Sequence, residues 1–85
     1  MTYDEKIQRL ANLIAVQTEY VVTVKPGKKY TKIDVGSSGR YMIDTYGNIF
    51  GIKAYGVIHR GHQYGTLDTI DQWNWGGYIA LPRKA

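Results

Sequence analysis

The chain has 85 residues, is 44% hydrophobic and 13% aromatic, lacks cysteine, and sets eleven Lys and Arg against seven Asp and Glu for a formal net charge of +4. A disordered chain is excluded, because aromatic and β-branched residues run through nearly every segment. Disulfides, thiolate zinc sites and cysteine nucleophiles are excluded as well. No apolar run reaches the roughly 18 residues of a membrane span, and Met1-Thr2-Tyr3-Asp4-Glu5 is the opposite of a basic signal-peptide start. A single cytoplasmic domain over residues 1–85, without membrane contact, is expected.

Thr2 and Glu5 have the spacing of a capping box, with Asp4 and Glu5 where a helix dipole favours anions. Behind them Tyr3, Ile7, Leu10, Ala11 and Ile14 fall on one stripe at helical spacing. The pattern predicts a helix over about 3–17 whose stripe packs on a sheet. Residues 20–25 are strand formers, and Pro26-Gly27 fits the central positions of a type II turn. A second strand is expected over 29–35. Gly36-Ser37-Ser38-Gly39 reads as a flexible loop; it lacks the Gly-Lys-Ser/Thr ending of a phosphate-binding loop and leads into a strand, so a plain turn is expected. A third strand over 40–44 and a fourth over 49–54 flank a hairpin with Gly47 in the left-handed position.

Further on, His59-Arg60-Gly61-His62 reads as a polar, glycine-broken loop. Thr66 is expected to cap a short helix through Leu67, Ile70 and Trp73, ending at Gly76-Gly77. A last strand over 78–81 would then be stopped by Pro82, leaving a tail at 82–85. Tyr-Gly pairs begin at 46, 55 and 64, but the other positions of that nonad do not match, so no repeat fold is predicted. The expected class is α+β, an N-terminal helix packed on an antiparallel sheet of four or five strands drawn from about 20–54 and 78–81.

The clearest functional candidate is the first hairpin, where Lys25, Lys28, Lys29 and Lys32 surround Tyr30. Strand alternation puts Tyr30, Lys32 and Asp34 on an outer face and Thr31, Ile33 and Val35 on the core face. Lysines neutralise phosphates and an aromatic ring stacks on a base, so the pattern points to single-stranded nucleic acid. Arg40, Lys53 and Arg60 would extend the surface. Set against this, lysines also solubilise hairpins and guard edge strands. The alternative is a protein interaction module or inhibitor using the aromatics Tyr55, Tyr64 and Trp73, although one of Trp73 and Trp75 is expected in the core. His59 and His62, with Asp68 and Asp71 nearby in sequence, have metal-site residue types, but three-residue spacing across Gly61 without a glutamate is not the metalloprotease pattern. No enzyme activity and no cofactor are expected.

The successions Lys29-Tyr30-Thr31-Lys32-Ile33, Arg40-Tyr41-Met42-Ile43-Asp44 with Tyr46-Gly47-Asn48-Ile49-Phe50, and Trp75-Gly76-Gly77-Tyr78-Ile79 resemble a family of small uncharacterised bacteriophage proteins over roughly residues 29–80. The resemblance implies a phage-type genome and action in the cytoplasm of an infected host, where the interaction module would be directed at a host protein. It carries over no catalytic residue. Separately, a monomer or small homo-oligomer is expected, because an exposed edge strand invites pairing.

Overall fold

The Thr2 hydroxyl accepts from the Glu5 backbone N–H at 3.2 Å and the Glu5 carboxylate accepts from the Thr2 N–H at 3.0 Å, so two of the donors a helix start leaves orphaned are satisfied reciprocally. Helix α1 accordingly starts at Tyr3 and runs to Thr18. It stops where Glu19 turns left-handed (φ 61°) and its N–H bonds the Ala15 carbonyl at 2.9 Å, a C-terminal cap built without glycine. The buried stripe is Ile7, Leu10, Ala11 and Ile14, as the helical spacing requires. In this computed structural model residues 2–54, 57–76 and 80–82 are described, Lys53 and Ala54 by their backbone alone.

The helix lies on a five-stranded antiparallel meander in the order β1 (Val22–Lys25), β2 (Tyr30–Val35), β3 (Ser38–Asp44), β4 (Asn48–Ala54), β5 (Val57–Thr66). The fold is the expected α+β class. Two turns carry the geometry that glycine allows. The supposed flexible loop after β2 is a two-residue turn in which Gly36 (φ 62°) takes the first central position between the paired Val35 and Ser38, the glycine-first arrangement that matches strand twist. At the next hairpin Gly47 is at φ 89°, while the Asp44 carboxylate accepts from the N–H groups of Tyr46 (3.0 Å) and Asn48 (2.9 Å), an Asx turn.

Pro26-Gly27 departs from the type II expectation, since Gly27 is not among the residues with positive φ. Its glycine serves a close approach instead: a Cβ there would stand 2.6 Å from the Tyr30 carbonyl oxygen. The connection therefore runs from Pro26 to Lys29 as a wider loop that projects Lys28 and Lys29.

The second half departs further. The histidine segment is not a separate loop but the middle of β5, where Phe50 pairs with Gln63 and the next residue, Gly51, pairs with His59. Arg60, Gly61 and His62 are left over as a wide bulge, so the polar, glycine-containing composition reflects an interruption inside a strand. Thr66 ends β5 rather than capping a helix; Thr66 N–H donates to the Thr69 hydroxyl at 2.9 Å, and a 3₁₀ turn of three residues follows at Ile70–Gln72. Trp73 then lies in a two-residue strand β6 (Trp73–Asn74) paired with β7 (Leu81–Pro82). Pro82 is part of that last strand instead of stopping it. Tyr78 and Ile79 of the expected strand lie outside the described residues.

The core sits between α1 and the sheet face bearing Ile33, Val35, Tyr41, Ile43 and Ile49, and is sealed by Tyr64, Leu67, Ile70 and a fully buried Trp75. Burying each large apolar side chain of this kind contributes about 1.5–3 kcal/mol. Tyr41 meets Trp75 and Tyr64 edge-on, with ring centroids at 5.4 and 5.7 Å. Gly51 faces Tyr41 across β3 and β4, and a Cβ at Gly51 would stand 3.1 Å from the Tyr64 hydroxyl oxygen. The missing side chain is thus the space the Tyr64 ring occupies.

Candidate nucleic-acid interface

The outer face of the sheet is assembled from rows that cross the strands. Register places Lys25 opposite Lys32, Lys32 opposite Met42, Met42 opposite Phe50, and Phe50 opposite Gln63, so two ammonium groups adjoin an apolar strip of Met42 and Phe50. Lys28 and Lys29 stand exposed on the loop beside them. The β5 bulge brings in a fifth cation that the hairpin motif alone does not contain. Arg60 Nη2 donates to the Tyr30 hydroxyl at 3.0 Å, and its guanidinium carbon lies 5.8 Å from the centre of the Phe50 ring. Tyr30, half-buried at the start of β2, is therefore tethered across the sheet from a residue thirty positions later.

Two acids on these strands, Asp34 and Asp44, are engaged. The Asp34 carboxylate is largely buried and lies 3.0 Å from the Lys25 ammonium; the face expected to be open at Asp34 closes over it. Asp44 is committed to its turn and to Asn48 Nδ2 at 3.0 Å. Elsewhere the acids gather on the helix side: Asp4, Glu5, Glu19, Asp68 and Asp71 stand on α1, its cap and the segment docked beside it, with Lys6 and Arg9 held by Asp68 (2.8 Å) and Asp71 (2.6 Å). Among the described residues charge is consequently segregated, with the cationic excess on the sheet side.

Two hollows lie near these elements. One of about 360 Å³ is lined by Ile58, His59, Arg60 and Gly61. The other, about 210 Å³, is lined by Tyr3, Gly27, Lys29, Thr31 and Thr45 between the lysine loop and the start of α1. Tyr3 closes its floor by hydrogen bonds to the Thr31 hydroxyl (3.2 Å) and the Asp44 carbonyl (3.0 Å). Burial raises the Tyr3 phenol above its ordinary range, partly offset by the Thr31 bond.

The remaining candidates are placed differently. Arg40 is the extra residue of a bulge between the Ile33–Tyr41 and Asp34–Gly39 pairs. Its guanidinium lies close enough to the Tyr41 hydroxyl to favour the ionised phenol, against the burial that pushes that phenol up to about 12. Arg40 thus lies beside Tyr41, off the row of paired residues from Lys25 to Gln63. Tyr64, expected as an exposed contact, is 7% exposed because Gly51 opens space for its ring. Trp73 is half-buried against Tyr64, with ring centroids 5.9 Å apart. Tyr55 and the Lys53 side chain lie outside the described residues.

His59 and His62 stack with ring centroids 4.1 Å apart. Asp68 and Asp71, their neighbours in sequence, pair with α1 instead, and among the described residues no three His, Cys, Asp or Glu side chains gather as a metal would need. The sequence motif missed Arg60 as a partner of Tyr30; the signal that could have found it is the arginine between two histidines in a glycine-containing segment, which marks a bulge that re-aims side chains. No helix among the described residues is long and apolar enough to cross a membrane. In comparisons with known proteins, no family model, no curated protein and no solved structure matches this chain.

Proposed function

We propose that this protein binds single-stranded nucleic acid across the outer face of its sheet. The observation that carries the proposal is the segregation of charge: acids cluster on the helix side, while Lys25, Lys28, Lys29, Lys32 and Arg60 share the sheet side with Tyr30. Such a distribution orients the molecule in the field of a polyanion, so that the cationic face arrives first. In this reading Lys28, Lys29 and Lys32 neutralise phosphates and Tyr30, held by Arg60, offers a ring edge-fixed for stacking. In the same reading an unstacked base would rest in the hollow beside Arg60. The resemblance to small phage proteins supports a role in the cytoplasm of an infected bacterium.

The test is binding of the purified protein to labelled single- and double-stranded oligonucleotides at low and physiological salt. Preference for the single strand, with affinity that falls steeply as salt rises and is lost on replacing Lys28, Lys29 and Lys32 together by alanine, is the expected result. Absence of binding at low salt, or binding unchanged by the triple substitution, rejects this surface.

A further inference from the structure

The two edges of the sheet differ. On one side β5 is broken by its three-residue bulge, a device that keeps an edge from templating another strand. On the other, β1 is regular across Val22 to Lys25, pairs residue for residue with β2, and is the last strand of the sheet among the described residues. It has no bulge and no proline within it.

Which backbone groups β1 presents outward follows from its hydrogen bonds. Gly36 N–H donates to the Val21 carbonyl at 2.7 Å, so Val21 faces β2. Antiparallel pairing alternates, so Thr23 and Lys25 also face β2 while the N–H and C=O groups of Val22 and Val24 point away from the sheet. Their side chains are half-buried at the margin of the core.

We propose that β1 pairs antiparallel with β1 of a second copy of this chain, about a twofold axis through Thr23. In this register Val22 of one copy lies opposite Val24 of the other, and vice versa, and the outward groups of both valines meet as hydrogen-bonded pairs. The two Thr23 residues face each other as the non-hydrogen-bonded pair. Valines meet valines on the helix side of the sheet, so the same surface is complementary to itself, as a twofold interface demands. The neighbouring registers are excluded. One centred on Val24 would place Val22 opposite Pro26, which has no N–H to give. One centred on Val22 would need Tyr20 as extended strand, but Tyr20 lies in the bend after the left-handed Glu19.

The experiment uses the full chain. Light scattering over a dilution series is expected to give a dimer mass that falls to the monomer at the dilute end, and Val24→Pro is expected to stay monomeric throughout. That substitution removes an outward N–H without breaking the ladder to β2. The chain has no cysteine, so Thr23→Cys supplies one thiol per copy; opposed non-hydrogen-bonded residues have Cα atoms about 4.5 Å apart, within the disulfide range. Oxidation of Thr23→Cys is expected to cross-link dimers much faster than oxidation of Lys28→Cys on the exposed loop. A monomer mass at every concentration overturns the proposal, as does cross-linking of Thr23→Cys no faster than of Lys28→Cys. If Val24→Pro fails to fold, the cross-linking comparison decides alone.

Discussion

Arg60 on β5 holds the hydroxyl of Tyr30 on β2 at 3.0 Å, spanning the two strands between them. The bond fixes the one aromatic ring that stands among the hairpin lysines. Under the proposed function the ring and the guanidinium contribute separately. Tyr30→Ala is expected to weaken single-strand binding by about 1–3 kcal/mol, the worth of a stacked base. Tyr30→Phe, which keeps the ring but loses the Arg60 bond, is expected to retain most of the affinity. Arg60→Ala is expected to reduce the slope of log affinity against log salt by about one. Titrations at several salt concentrations check all three; Tyr30→Ala and Tyr30→Phe behaving alike would count against stacking.

Lys25 and Asp34 form a pair in which the carboxylate is buried and the ammonium half-exposed. Removing the lysine strands a desolvated charge, whereas removing both charges strands none. Lys25→Ala is expected to cost about 1–3 kcal/mol, less than a fully buried pair because the lysine is partly solvated. Combining it with Asp34→Asn is expected to recover most of that loss. Urea denaturation of the single and double variants gives the coupling, and a Lys25→Ala as stable as Lys28→Ala would show that the pair contributes nothing.

Gly36 and Gly65 share a positive φ, 62° and 68°, but not their surroundings. Nothing stands within 4 Å of a Cβ at Gly36, while one at Gly65 would collide with the Thr69 hydroxyl and the Trp73 indole nitrogen. Gly36→Ala is therefore expected to cost about 1–2 kcal/mol of backbone strain, and Gly65→Ala at least about 1–3 kcal/mol more for forced repacking. Thermal melts of the two variants rank them directly; equal losses would remove the role assigned to the Thr69 and Trp73 contacts.

Tyr41 gives the fold an alkaline limit. Its folded phenol is pushed up to about 12 by burial, against an ordinary value of 10.0. The unfolded chain releases this proton first, so the stability contributed by the neutral phenol is complete below pH 10 and is lost as pH rises toward 12. Tyr3, raised by burial in the same direction, adds to the effect. Denaturant unfolding between pH 8 and 12 is expected to show falling stability that flattens in Tyr41→Phe, and tyrosinate absorbance is expected to lag for the buried ring.

How legible this was in the sequence depends on how local the cause was. The capping box and the Ile7-Leu10-Ala11-Ile14 stripe act within a few turns, and they locate α1 to within a residue of its observed end. Gly47 was legible for the same reason, through the Asp44 side chain next to it. The β5 bulge was not, because it is defined by register against β4, and a strand that skips three residues has the composition of a loop. Burial of Tyr64 was hidden likewise, since it depends on Gly51 thirteen positions away. For the candidate interface, the lysine cluster was legible and its connection to Arg60 was not.

The side-chain oxygen of Gln17 accepts the Trp75 N–H at 2.6 Å, a contact between residues 58 positions apart. Trp75 is the largest of the fully buried side chains among the described residues, and closing so long a loop costs entropy before any contact rewards it. The pace of folding should therefore be set by a late docking event, with helix and sheet already associated and the tryptophan segment arriving last. In the finished molecule the same closure couples the two regions, so amide exchange at Trp75 and at the end of α1 should rise and fall together as a single opening unit.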